Sequence, residues 1–125
     1  MRSVRLVSIL ANKAMISAFS VLIASKPNLR LLAAADSLDG LQAIQGERKP
    51  DIILVYLFSE NGAHEEKDIY DAIVRIKNTW PRVWCVVIFK HSNQLEKSLS
   101  RGVDIALLDG VNAERLLAAI EGDLM

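Results

Sequence analysis

Five near-continuous apolar runs of strand length recur along the chain, and a helix-patterned segment follows each of them. The runs lie at 4–10, 29–34, 51–57, 83–89 and 103–108. The third, Asp51-Ile-Ile-Leu-Val-Tyr-Leu, and the fourth, Val83-Trp-Cys-Val-Val-Ile-Phe, are rich in β-branched and aromatic residues. A strand with one face in water alternates apolar and polar residues. A strand covered on both faces does not, so these runs read as parallel strands buried on both sides.

The intervening segments carry helical spacing. Residues 13–25 place Met15, Phe19 and either Leu22 or Ile23 on one stripe, and Pro27 closes the segment. Residues 39–46 predict a short helix with Leu41 and Ile44 inward. Residues 65–79 space Ile69, Ala72, Ile73 and Ile76 three and four apart, and 92–100 predict a weaker helix. Asn112 is placed to cap a last helix that turns Leu116, Leu117 and Ile120 inward. Strict alternation of strand and helix predicts an α/β chain with a doubly wound parallel sheet of five strands and helices on both faces. No linker or low-complexity tract divides it, so residues 1–125 read as a single domain.

Composition narrows the function. Fifteen basic residues balance fifteen acidic ones, which argues against direct nucleic-acid binding or a membrane surface. Cys85 is the single cysteine, so neither a disulfide framework nor a cysteine-based zinc cluster can form. No apolar stretch reaches the roughly 20 residues of a membrane span, and no secretory pattern opens the chain; a cytoplasmic location is expected. A phosphate-binding Gly-x-x-x-x-Gly-Lys-Ser/Thr string, a Gly-x-Ser-x-Gly elbow, a flavodoxin-type phosphate loop and a cobalamin-type Asp-x-His-x-x-Gly phrase are all missing. The reading is therefore a non-enzyme without cofactor or metal.

Five phrases, in order, carry a resemblance. They are Ala18-Phe-Ser-Val-Leu-Ile-Ala-Ser-Lys-Pro-Asn-Leu, Asp39-Gly-Leu-Gln-Ala-Ile, Lys49-Pro-Asp-Ile-Ile-Leu-Val, Trp80-Pro-Arg-Val and Gly102-Val-Asp-Ile-Ala-Leu-Leu. Together they resemble the framework of response-regulator receiver domains, nearest to those of the LuxR/NarL-type transcription regulators, over essentially the whole chain. The resemblance implies a flavodoxin-like (βα)5 three-layer sandwich. It also implies a two-component signalling role, either as a stand-alone regulator or beside a DNA-binding output domain that these 125 residues do not include.

The family's chemistry does not follow. The position of its phosphoacceptor aspartate is Tyr56, and its two cation-holding acids correspond to Leu10 and Ala11. Its phosphate-reading Ser/Thr corresponds to Phe89, its lysine to Asp109, and its aromatic switch residue to Ala106. Mg²⁺ wants hard oxygen ligands, which Leu10 and Ala11 lack. Tyr56 is a neutral phenol, and Asp109 sets a negative charge where phosphoryl transfer needs a cation. The expectation is a degenerate receiver that signals through protein contacts without phosphorylation. The alternative is a small-ligand sensor using the emptied strand edge.

Four further expectations follow. Leu10, Ala11, Tyr56 and Phe89 should converge in one apolar plug at the C-terminal edge of the sheet. Asp109 should either pair with Lys13 or Lys90 or form a plain Asp-Gly turn. The chain should self-associate, with Lys97, Arg101, Arg115 and Glu121 as candidate contacts. Cys85 should be an inert core residue, His64 and His91 surface groups rather than a metal pair, and Glu65-Glu-Lys-Asp the acidic first turn of a helix. Trp80 and Trp84 stand between an interface and a helix-end plug.

Overall fold

The computed structural model describes residues 4–56, 66–90 and 102–122. Strands β1 (Arg5–Ala11), β2 (Leu29–Ala35), β3 (Ile52–Tyr56), β4 (Trp84–Phe89) and β5 (Ile105–Leu108) form one parallel sheet in the order β2-β1-β3-β4-β5. Helices α1 (Lys13–Ala24), α2 (Leu38–Gln45), α3 (Glu66–Thr79) and α4 (Ala113–Glu121) complete the described elements. The expected helix at 92–100 and the expected last residue of the third strand, Leu57, lie outside the described residues.

The sheet separates two cores. Leu10, Ile53, Val55, Val87 and Phe89 pack with Leu38, Leu41, Ile69, Ile73 and Ile76 of α2 and α3. Val7, Ile9, Ala11, Ile52, Leu54, Val86 and Ile88 pack with Phe19, Ile23, Leu116 and Ile120 of α1 and α4. Consecutive residues of one strand thus enter opposite cores, which is why the runs had to be apolar throughout.

Side-chain caps set the helix ends. Asn12 Oδ1 accepts from the Met15 N–H at 2.9 Å, and Asn112 Oδ1 from the Arg115 N–H at 2.8 Å, as expected for Asn112. The α2 helix starts one residue earlier than expected, because Ser37 caps it through the Gly40 N–H. It ends at Gly46, whose φ of +66° suits glycine.

Ile44 is a correction. It is 64% exposed, not inward. The inward face of α2 runs through Leu38, Leu41 and Gln45. Gln45 is held there because its Oε1 accepts from the buried Ser8 hydroxyl at 2.8 Å, while its Nε2 donates to the Arg48 carbonyl at 2.8 Å. A satisfied buried amide outcompetes the isoleucine for the core position.

The N-terminal edge of the sheet is pinned by charge. Asp51 Oδ2 accepts from the Leu6 N–H at 2.7 Å. Asp104 Oδ2 accepts from the Cys85 N–H at 2.8 Å and from Lys77 Nζ at 2.7 Å. These contacts take over from the ladder where the apolar runs predicted two more strand residues, so β5 begins at Ile105 rather than 103. Trp84 is half-buried and donates through Nε1 to the Ala119 carbonyl at 3.2 Å, fastening α4 to β4. Trp80 packs on the α3 side. Both tryptophans are engaged within the fold.

Candidate functional site at the C-terminal edge of the sheet

The strand ends bring together part of what the sequence predicts. Ala11 stands in register with Tyr56, and Leu10 with Val55. Leu10, Ala11 and Phe89 are fully buried. The single plug, however, is corrected: the sheet divides it. Leu10 and Phe89 enter the α2/α3 core, whereas Ala11 and Tyr56 face α1 and α4. The cause is the two-residue period of a strand, which sends neighbours such as Leu10 and Ala11 to opposite faces. Phe89 meets Tyr70 with ring centroids 6.1 Å apart. Tyr56 meets Phe19 edge-on at 5.9 Å.

Asp109 is placed differently from the expected ion pair. Among the described residues neither Lys13 nor Lys90 reaches it. Its Oδ1 instead accepts from the Tyr56 hydroxyl at 3.0 Å. The turn alternative is borne out beside this contact: the Val111 N–H donates to the Leu108 carbonyl at 3.2 Å, and Gly110 has φ +91°. The Asp109 N–H donates to the Phe89 carbonyl at 2.7 Å, which seats the turn on β4. The end of β3 and the turn after β5 are therefore joined by a phenol and a carboxylate. Burial raises the Tyr56 pKa above its ordinary value of 10.0, and the hydrogen bond to Asp109 and that residue's charge raise it further. The phenol stays a donor throughout the neutral range.

The other candidates separate. Arg115 is exposed at the start of α4. Glu121 does not point outward as expected: its side chain is 15% exposed, and its Oε1 lies 3.7 Å from Lys26 Nζ. Its carbonyl accepts from Arg5 Nη1 at 2.8 Å, placing two cations at the C-terminal end of the helix. Lys97, Arg101, His64 and His91 lie outside the described residues. Among the described residues no three His, Cys, Asp or Glu side chains gather as a metal site. No helix among them is long and apolar enough to cross a membrane.

Cys85 is fully buried, and burial pushes its thiol up to about 12. Only the thiolate reacts. The native protein is expected to resist a thiol-specific disulfide reagent at pH 8 for hours and to react within minutes in denaturant. Absorbance of the released thiol checks this, and rapid native labelling refutes it.

A groove of about 360 Å³ opens beside the end of β5, lined by residues 106–111 and Arg115. At the end of β1 Leu10 and Ala11 are buried, and at the end of β3 Tyr56 is half-buried.

Solved structures share this architecture. The BeF3-activated DrrB receiver domain superposes with a TM-score of 0.70 at 19% identity, covering 97% of each chain. A LuxR-family DNA-binding response regulator from Staphylococcus aureus gives 0.74 at 20%, over 95% of this chain and 98% of that one. A CheY-like receiver domain protein from Methanospirillum hungatei JF-1 gives 0.72 at 18%, over 98% and 94%. This chain has the receiver fold. No family model and no curated protein matches its sequence. The framework phrases fall where that fold needs them: Asp51 at the start of β3, Asp104 before β5, and the Asp39-Gly opening of α2. The Lys77–Asp104 bridge and the Tyr56–Asp109 contact were not legible in the sequence, since both join elements whose placement only the strand order decides.

Proposed function

We propose that this chain is a degenerate receiver, a signalling module that works through protein contacts and without phosphorylation. The reading places it with a LuxR/NarL-type transcription regulator whose DNA-binding output lies outside these residues. Its partner is a second copy of the chain or another regulator, met on the face that carries Arg115. The observation that carries the reading is the burial of Leu10 and Ala11 beside Tyr56. On the family's pattern the cation's ligands would be Leu10 and Ala11, which are hydrocarbon, and the residue in register with Ala11 is a phenol with a raised pKa. Among the described residues the end of β1 offers no acid for a cation and the end of β3 no carboxylate nucleophile, and the nearby Asp109 carboxylate is held by the Tyr56 hydroxyl. For the sensor alternative, the groove found among the described residues lies beside the edge strand β5 and not at the β1–β3 switch point where doubly wound sheets bind ligands.

Incubation with acetyl phosphate and Mg²⁺ is expected to add no mass, and beryllofluoride to leave the amide spectrum unchanged. An adduct of phosphate mass on any aspartate, or saturable Mg²⁺ shifts around Tyr56, refutes the reading.

A further inference from the structure

The contact between Tyr56 and Asp109 joins strands that are not neighbours. In the order β1-β3-β4-β5, β4 lies between them. The phenol at the end of β3 therefore crosses the end of β4 to reach the turn after β5. Each end of this crossing is anchored. The Tyr56 ring is braced against Phe19 of α1. Asp109 is fixed through its own N–H to Phe89. Three residues beyond it, Asn112 caps α4. Residues 109–111 and Arg115 also line the groove beside β5.

We infer that the Tyr56–Asp109 hydrogen bond is a permanent clasp, which holds the β5–α4 turn and the groove it lines in one position without any phosphate. It rests on the reading above that no phosphoryl group acts at this edge. A bond from a neutral hydroxyl to an ionised carboxylate is of the stronger, charge-assisted kind. Local opening of a turn is governed by few contacts, so loss of one such bond is concentrated there rather than shared by the whole domain.

Amide hydrogen exchange on the full chain tests it. Tyr56→Phe removes one oxygen and leaves the ring on Phe19. It is expected to speed exchange of the amides at 109–116 by about tenfold, with the amides of Leu54 and Val86 unchanged. Asp109→Ala and Asp109→Ser should speed the same amides to a similar degree, and adding Tyr56→Phe to either should bring no further increase. Unchanged exchange in Tyr56→Phe overturns the clasp. So does an increase spread evenly over the central strands, or one that multiplies in the double variants. A phosphate adduct in the acetyl phosphate experiment sinks the reading of the site instead, so the two failures are distinct.

Discussion

Phe89→Ala is expected to lower the unfolding free energy by about 3–5 kcal/mol, the usual range for emptying a core phenylalanine site. The ring is fully buried at the end of β4. It is among the largest wholly enclosed side chains of the chain and packs against Tyr70. It shares a close-packed core with Leu10, Val87 and Ile69, all buried on strands or α3, so little can collapse into the space. Urea unfolding followed by circular dichroism measures the loss, with an unchanged slope showing that the midpoint shift is one of stability. Phe89→Leu, which keeps most of the volume, should lose less than half as much. A loss below about 1 kcal/mol for the alanine variant would mean the ring contributes little packing. Phe89→Thr should be destabilised like the alanine variant and gain no response to acetyl phosphate. On the proposed reading a hydroxyl there has no phosphate to read while Leu10, Ala11 and Tyr56 remain.

The success of the strand predictions and the failures at the site have one cause. Burial on both faces is written locally, as runs such as Ile52-Ile-Leu-Val, so all five strands were legible to within about two residues. Ile44 misled because apolar spacing in an eight-residue helix fits two phases. What decides between them is Gln45 reaching the Ser8 hydroxyl on β1, a partner 37 residues away. The division of the plug was legible in principle, since Leu10 and Ala11 are adjacent and a strand must part them. The partner of Asp109 was not. Choosing among Lys13, Lys90 and Tyr56 requires knowing that β3 and β5 flank β4, and that both lysines are exposed.

Asp104→Ala is the counterpart at the opposite edge, with an expected loss of about 2–4 kcal/mol. One carboxylate oxygen serves both the Cys85 N–H and Lys77 Nζ, and the ammonium also donates to the Val83 carbonyl at 2.7 Å. The two side chains are 22% and 29% exposed, between the surface pairs that contribute about 0–1 kcal/mol and buried pairs whose breaking costs about 3–5 kcal/mol. Truncation strands a half-buried cation and a backbone donor at the start of β4, which places the expectation in the upper part of that span. Asp104→Asn keeps an acceptor for the Cys85 N–H and should lose about half as much. A cycle with Lys77→Met should give a coupling of about 1 kcal/mol or more. Additive variants, or a loss under about 1 kcal/mol for the alanine, would reduce the bridge to a surface contact. This edge also holds Asp51 on Leu6 and Arg5 and Lys26 on the end of α4. Polar contacts among the described residues thus align β1, β3, β4 and β5 at the edge away from Tyr56 as well as through the Tyr56–Asp109 contact. A sheet secured there can carry hydrocarbon, a phenol and a lone carboxylate at its other edge without losing its register.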